Sequence, residues 1–525
     1  MSQAQADAAT TATTDDRDRH DAGHELPQDE HNRKLLDAVR PRGWVHPNPP
    51  KRYNLVAVGA GAAGLVSAAG SAGLGARVAI VERNMLGGDC LNVGCVPSKA
   101  LISASRAAAA VRRAAAFGVR VPGPVEVDFG AVMERLRRLR AEISPNDSAE
   151  RFKSLGVDVY LGAATFVDRD AVRVGDKVLR FSRAVIATGG RAWDPPIAGL
   201  KETGYLTNET VFNLTSLPRR LAVIGAGPIG CELAQAFRRL GSEVWLFEKE
   251  PRALPREDAD AAQLVAESLA RDGVQLVLSA GIEGASKGPA GKLLRYSKDG
   301  VEQTLEVDQV LIGVGRVPNT DGLGLEAAGV GYDRTGVLVD DRFRTSNPAI
   351  FAAGDICSPY KFTHAADATA RIVIGNALFG GRGRGSALTI PWCTYTEPEI
   401  AHVGLYEAEA SKKGIEVDTF TQRFAEVDRS ILEGDTEGFV RVHVRRGTDR
   451  IVGATIVGRD AGEMISEVTL AITAGVGLKA ISKTIHPYPT RSEALRKLAD
   501  AYNRTRLTPM VRSLLKWWLS WSSEA

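Results

Sequence analysis

Residues Tyr53 to Glu82 read YNLVAVGAGAAGLVSAAGSAGLGARVAIVE, and Arg219 to Glu248 read RRLAVIGAGPIGCELAQAFRRLGSEVWLFE. The two align without a gap. Each runs from an apolar strand through a G-x-G-x-x-G turn into a helix, a second strand and a closing acid, the layout of a dinucleotide-binding βαβ unit. In that unit the first glycine (Gly59, Gly225) permits a tight turn and the second (Gly61, Gly227) lets a pyrophosphate approach the backbone. The third (Gly64, Gly230) lets helix pack on strand. Glu82 and Glu248 are placed to accept hydrogen bonds from a ribose 2′-hydroxyl. A single G-x-G-x-x-G is weak evidence, but two in full strand-turn-helix-strand context argue for two bound dinucleotides. A flavin and a nicotinamide make such a pair, because one delivers a hydride that the other accepts.

Two further strand-then-glycine segments, Ala184 to Gly190 (AVIATGG) and Ile350 to Asp355 (IFAAGD), flank the second repeat. They predict an α/β first domain that is interrupted, over 51–205 and 336–388, with a second Rossmann-like domain inserted at 206–335. From about Thr389 the chain changes character: PWCTYTEPEIAHVGL precedes apolar strands at Gly438–Val444 and Ile451–Val457, which predicts a separate α+β domain over 389–505.

The balance of the chain excludes other classes. At 525 residues, 44% hydrophobic and 25% charged, it is neither a mini-protein nor a disordered one. A net charge of +3 gives no field for nucleic acid. Five cysteines in a long chain do not read as a secreted disulfide framework, so a reducing, cytoplasmic setting is expected. Residues 1–50 have no apolar h-region and predict a solvated, mobile extension; His20, His24, His31 and His46 are too irregularly spaced for a metal tract. No 18-residue apolar run predicts a membrane span.

Directly after the first repeat comes Leu86 to Ala100, LGGDCLNVGCVPSKA. Pro97 suits a first helical turn, which puts Cys95 near a helix N-terminus, where the dipole favours a thiolate. Neither Cys nor His nearby supplies the further ligands a zinc site needs, and no structural metal is expected. A redox disulfide, Cys90 with Cys95, beside a cofactor is the leading reading, and two inert core thiols the alternative.

With these residues in hand the sequence, over roughly 51–505, resembles the flavin-dependent pyridine nucleotide-disulfide oxidoreductases, the group of dihydrolipoamide dehydrogenase, glutathione reductase and mercuric reductase. The resemblance implies a homodimer built through 389–505. It implies that Gly59, Gly61, Gly64, Glu82, Gly88, Lys99, Thr188, Gly189, Gly354 and Asp355 hold FAD, and that Gly225, Gly227, Gly230, Glu248 and Gly315 hold the nicotinamide nucleotide. By the same likeness Cys95 lies against the flavin as the charge-transfer thiol and Cys90 is the exchanging thiol. Lys99 and Glu232 match an ion pair beside the flavin. Electrons then pass from NADH or NADPH through FAD to the disulfide and on to an acceptor.

The chain departs from the disulfide reductases at HPYPTRSE, His486 to Glu493. Counting back from Glu493, the position of the family's acid–base histidine holds Tyr488. A phenol of ordinary pKa about 10 is a poor proton shuttle near neutrality, whereas histidine at about 6.5 is well matched. His486 would substitute if the segment is extended, since i and i+2 then share a side. Tyrosine here resembles the mercuric reductases, where the phenol lines the metal-ion pocket. Their C-terminal cysteine pair is missing, because the last cysteine is Cys393. Cys231, Cys357 and Cys393 read as isolated core residues. The resemblance implies that His364 of Phe362–Ala366 (FTHAA) lies near the flavin, the alternative being a helix-start histidine with no chemical role. A mercuric-reductase-like enzyme is the leading expectation, a dihydrolipoamide-dehydrogenase type the alternative, and a flavin-loaded membrane-associated binding module the third.

Glu248 favours NADH over NADPH, although Lys249 and Arg252 follow it. Within 506–525, Val511, Leu514, Leu515 and Trp518 fall at helical spacing beside Arg512 and Lys516, with Trp517 and Trp521 close by. This predicts an amphipathic helix that packs on the dimer or the core, or makes peripheral membrane contact.

Overall fold

The strand Tyr53–Val58 pairs in parallel with Val78–Glu82 on one side and with the end of Lys177–Ile186 on the other. Its sheet extends to Val157–Leu161 and, through a hairpin, to Ala171–Val174 and Ala164–Asp168. A seventh strand comes from far along the chain: Ile350 lies opposite Ala184, Phe351 opposite Val185 and Ala352 opposite Ile186. The computed structural model, which describes residues 26–523, thus closes the first sheet with a segment beyond the whole second repeat. That second repeat forms its own four-stranded parallel sheet from Arg220–Ile224, Glu243–Phe247, Gln275–Val277 and Gln309–Ile312, with a three-stranded antiparallel sheet beside it. The inserted arrangement expected from AVIATGG and IFAAGD is the one observed.

Backbone geometry explains the glycines of the two turns. Gly59 and Gly225 adopt φ of +102° and +101°, where a side chain is strained. A Cβ on Gly64 would stand 1.8 Å from the Gly59 carbonyl oxygen, and one on Gly230 1.8 Å from that of Gly225. Each third glycine therefore lets the helix (Ala62–Gly73 and Pro228–Leu240) lie directly on its own turn.

The C-terminal domain is a five-stranded antiparallel sheet in the order Pro391–Thr394, Glu399–Gly404, Ile451–Gly458, Phe439–Arg445, Val417–Arg423. The helices Ala461–Thr473 and Glu493–Thr505 bury Val468, Leu495 and Leu498 with the sheet's Val440, Val442 and Ile456.

Two expectations need correction or refinement. The mobile extension expected over 1–50 does not hold for its second half, while its first 25 residues lie outside those described. Glu30–Val39 is a helix, capped by the Asp29 side chain and fully burying Leu35 and Val39. It is pinned by Arg140, itself completely buried, which donates to Asn32 Oδ1 at 2.7 Å and to the Asn92 carbonyl at 2.8 Å. Burial pulls that guanidinium down to about 10. His31 and His46 diverge, the first 3.8 Å from Glu134 and the second accepting the Leu161 N–H at 3.0 Å; His20 and His24 lie outside the described residues. The expected C-terminal helix forms over Pro509–Ser523, but none of its residues is buried. No described helix is long and apolar enough to cross a membrane.

Asn32→Ala strips the buried Arg140 of its side-chain acceptor. It is expected to cost about 1.5–3 kcal/mol, read as a lower urea midpoint at unchanged slope, with Asn32→Asp retaining most of the stability.

Candidate functional site

One continuous cleft of about 2470 Å³ receives both glycine turns. This exceeds the roughly 300–1,000 Å³ of a pocket for one small ligand. Gly59, Gly61, Glu82 and Gly88 line its first arm, with Thr188, Gly189, Gly354 and Asp355. Gly225, Gly227, Glu248 and Gly315 line the second. Gly64 and Gly230 are absent from the wall because they serve packing. At the helix starts the second glycines are the N-caps, and a Cβ on Gly61 would meet only the Gly88 Cα at 3.8 Å, one on Gly227 nothing within 4 Å. Open space at the positive end of a helix fits a pyrophosphate. In both copies the closing acid is clamped identically. Glu82 accepts the N–H groups of Ala60 and Asn84, both at 2.7 Å, and Glu248 those of Ala226 at 2.8 Å and Glu250 at 3.1 Å. Burial pushes the Glu82 carboxyl upward against those two bonds.

Cys90, Cys95, Lys99 and Glu232 share the wall of the same cleft. Cys90 sits in the short helix Gly88–Asn92, and Cys95 is the first residue of Cys95–Arg113, with Gly94 as N-cap. Both are free thiols. The Cys90 thiol as donor, then the Thr363 hydroxyl at 3.3 Å and the Lys99 charge, hold Cys95 down to about 6 against the opposing push of burial. Cys90 is pushed the other way, by sharing its proton with Cys95 and by burial. The two sulfurs are thereby made unequal, one a thiolate near neutrality and the other a thiol.

Lys99 Nζ donates to Glu232 Oε2 at 2.8 Å and lies 4.5 Å from the centre of the Tyr395 ring. The other Glu232 oxygen accepts the Tyr395 N–H at 2.8 Å. Tyr395 was not singled out by sequence, nor was Thr363, although it stands in FTHAA beside His364. His364 itself hydrogen-bonds the Pro391 carbonyl at 2.7 Å and stacks on Phe362. Arg316 was also missed: it pairs with Asp89, bonds the Gly190 carbonyl at 2.5 Å and stands 3.8 Å from Asp355. Its only sequence signal is its place after Gly315.

Of the three isolated cysteines, Cys231 is in the core, with its thiol donating to the Ala226 carbonyl at 3.3 Å. Cys357 and Cys393 are half-buried, and Cys393 belongs to the cleft wall, which corrects its reading as core. Burial raises all three thiols, Cys357 to about 12.

Tyr488, His486 and Glu493 do not line the cleft of their own chain. Tyr488 is 69% exposed and donates to Asp428 at 3.0 Å, a bond that raises its phenol further. The expectation that His486 shares its side is corrected. The His486 ring is turned inward, 2.9 Å from Glu467 through Nε2 and 3.1 Å from the Thr484 carbonyl through Nδ1. The segment is not part of a strand, so no ladder enforces a two-residue alternation. Glu493 is buried; one oxygen accepts from Arg496 at 2.8 Å, and the other has no partner among the described residues.

Two interleaved nucleotide-binding domains, a thiol pair at a helix start and a third antiparallel domain define a flavoprotein disulfide reductase. Residues 53–370 match the pyridine nucleotide-disulphide oxidoreductase family model, and residues 390–499 that family's dimerisation domain. The chain belongs to this family, whose enzymes depend on FAD and use NAD(P)H. It is 34% identical over 453 residues to a mercuric reductase of Lysinibacillus sphaericus, covering 86% of this chain and 83% of that one. It is 36% identical over 449 residues to a dihydrolipoyl dehydrogenase of Geobacillus stearothermophilus, covering 84% and 94%. Among solved structures, the HOCl-induced flavoprotein disulfide reductase RclA from Escherichia coli superposes with a TM-score of 0.76 at 29% identity, over 85% of this chain and 99% of that one.

Thr363→Val removes a donor to the Cys95 sulfur. In the reduced protein the pH midpoint for iodoacetamide labelling of Cys95, followed by peptide mass spectrometry, is expected to rise by about 0.7, the equivalent of one hydrogen bond of about 1 kcal/mol. The Thr363→Ser midpoint should stay where it is.

Proposed function

We propose that this enzyme oxidises NADH and delivers the electron pair through Cys90 and Cys95 to a soft, thiol-reactive metal ion of the Hg(II) type, as a homodimer. The observation that carries the reading is Tyr488, a phenol with its proton held more tightly than usual, at the place where disulfide reductases need a group that titrates near pH 7. Thiol–disulfide exchange must protonate a leaving thiolate, and Tyr488 is ill suited to that. A bound soft ion needs no such acid: on binding it displaces the Cys90 proton to solvent, the two sulfurs then release two electrons, an S–S bond forms between Cys90 and Cys95, and Hg(II) becomes Hg(0).

FAD fits the first arm of the cleft and NAD(P)H the second; when bound, they supply the hydride transfer that renews the dithiol. The chain's own residues do the rest. Glu82 and Glu248 are held ready for ribose hydroxyls, Lys99 with Glu232 sets the charge beside the thiols, and Thr363 steadies the Cys95 thiolate. NADH is favoured because Glu248 offers its carboxylate to a free 2′-hydroxyl and Arg252 is engaged elsewhere, bonding the Pro255 carbonyl at 2.7 Å. A second copy is supported by exposed apolar groups on the C-terminal domain, Ile485 at 93% and Leu470 at 67%, which a partner would cover while bringing Tyr488 to the opposite cleft.

The test is an anaerobic reduction with NADH, then reoxidation by one acceptor at a time. Thiol-ligated Hg(II) should reoxidise the protein, and lipoamide and glutathione disulfide should not; rapid turnover with either disulfide would overturn the assignment in favour of a dihydrolipoyl-dehydrogenase type. Cys90→Ser should lower Hg(II) turnover by about 100-fold or more while NADH still bleaches the flavin, and Tyr488→His should raise lipoamide reduction by about 100-fold. Glu248→Ala should narrow the NADH-to-NADPH ratio of kcat/KM by about tenfold.

A further inference from the structure

The helix Pro509–Ser523 lies past residue 499, where the match to the dimerisation domain ends, and every one of its residues is on the surface. Placed at 100° per residue, Met510, Val511, Leu514, Leu515, Trp517, Trp518, Leu519 and Trp521 fill an arc of about 200° interrupted only by Ser522. Arg512, Lys516, Ser513, Ser520 and Ser523 occupy the remainder. Exposure is high over most of the apolar arc, with Val511 half-buried: Met510 81%, Leu514 61%, Trp517 63%, Trp518 58%, Trp521 72%. So broad a face does not match the narrow two-position seam of a coiled coil. It suits a medium that wraps half the helix, and tryptophan is the side chain that settles where apolar and wet regions meet.

Charge identifies the medium. Between Ala501 and Ser523 the sequence contains Arg504, Arg506, Arg512 and Lys516 and not one Asp or Glu, although the chain as a whole is nearly neutral at +3. With Glu524 directly after the helix, four basic residues face one acid, and such a basic excess on and just before an amphipathic helix complements an anionic surface. We infer that Pro509–Ser523 is a membrane-docking helix that lies in the interface of an anionic phospholipid bilayer, its tryptophan face among the acyl chains and Arg512 and Lys516 toward the headgroups. The enzyme is thereby held at a lipid surface without spanning it.

The intact FAD-loaded protein is sedimented with vesicles of phosphatidylcholine alone and of phosphatidylcholine mixed with phosphatidylserine, with tryptophan emission recorded in parallel. Expected are co-sedimentation and a blue shift with the anionic vesicles, both reversed by added salt. Arg512→Gln with Lys516→Gln should weaken partitioning by about 30-fold, near fivefold per charge. Trp517→Ser with Trp518→Ser and Trp521→Ser should abolish it, while flavin absorbance and NADH oxidation stay as in the parent. Failure of the parent protein to bind anionic vesicles, or equal binding to neutral ones, overturns the inference. So does light scattering in which the tryptophan variant falls from a larger assembly to a smaller one, since the face would then be covered by another copy of the chain. None of these readouts depends on the identity of the electron acceptor.

Discussion

A single carboxylate ties the three domains together beside the thiols. Glu232 belongs to the first helix of the inserted domain, Lys99 to the cysteine helix of the first domain, and Tyr395 to the entry of the third. An ion pair open to water contributes about 0–1 kcal/mol, whereas removing one partner of a buried pair costs about 3–5 kcal/mol. The Glu232 side chain is 6% exposed and that of Lys99 38%, so this pair lies between the two limits. Its worth is as much geometric as energetic. With one oxygen on the ammonium and the other on a backbone N–H, the carboxylate cannot rotate, and Lys99 is kept where its charge acts on Cys95. Nearby, Arg106 bonds Glu399 at 2.8 Å and the carbonyls of Tyr395 and Thr396, fixing the same junction two turns further along the cysteine helix.

The division of labour between the cysteines follows from that junction and from two helix starts. Cys95 opens a 19-residue helix, and Thr363, its hydroxyl partner, opens a 17-residue helix from the distant return segment of the first domain. Both helices thus have their positive ends close to the sulfur. Cys90 has neither advantage: it lies within a five-residue helix, and burial favours its neutral form. A proton shared between the two therefore resides on Cys90, leaving Cys95 charged. This asymmetry arises first from the bond between the two thiols, then from the Thr363 hydroxyl and the Lys99 charge, and holds whichever acceptor arrives.

Sequence revealed most where spacing itself carries the chemistry. The glycine turns, the acids that close them, the thiol pair and the interrupted first sheet could be read because each is a local pattern in which geometry permits few residue types. The helix Glu30–Val39 could not, since EHNRKLLDAV looks solvated until Arg140, more than a hundred residues away, is found to need Asn32. Thr363 and Tyr395 escaped for the same reason: each acts on a side chain from another part of the chain, and neither has a periodic or motif signature. For His486 a two-residue alternation holds only in a strand, and its proline-rich segment is not one. Across these cases local constraints were legible, whereas pairings closed by tertiary contact were not.

The apolar surface that remains outside the folded chain is not scattered evenly. Burying apolar area is worth about 25 cal/mol per Å², so large exposed groups in clusters imply a cover. On the C-terminal domain two such clusters are separated by the basic stretch at Arg504 and Arg506. Ile485, Leu470 and Tyr488 sit on the body of the domain that carries the dimerisation match, next to a buried Glu493 with an unsatisfied oxygen, and a second copy would bury them. The tryptophan helix lies beyond that match, carries no buried residue and has four basic residues on or just before it against one acid, Glu524, after it. A homologous protein surface, itself close to neutral, offers such charges little, whereas a bilayer rich in anionic headgroups satisfies charge and apolar face together. The two clusters thus call for covers of different chemistry, and the chain separates them by placing one on the rigid domain and the other on a helix of its own.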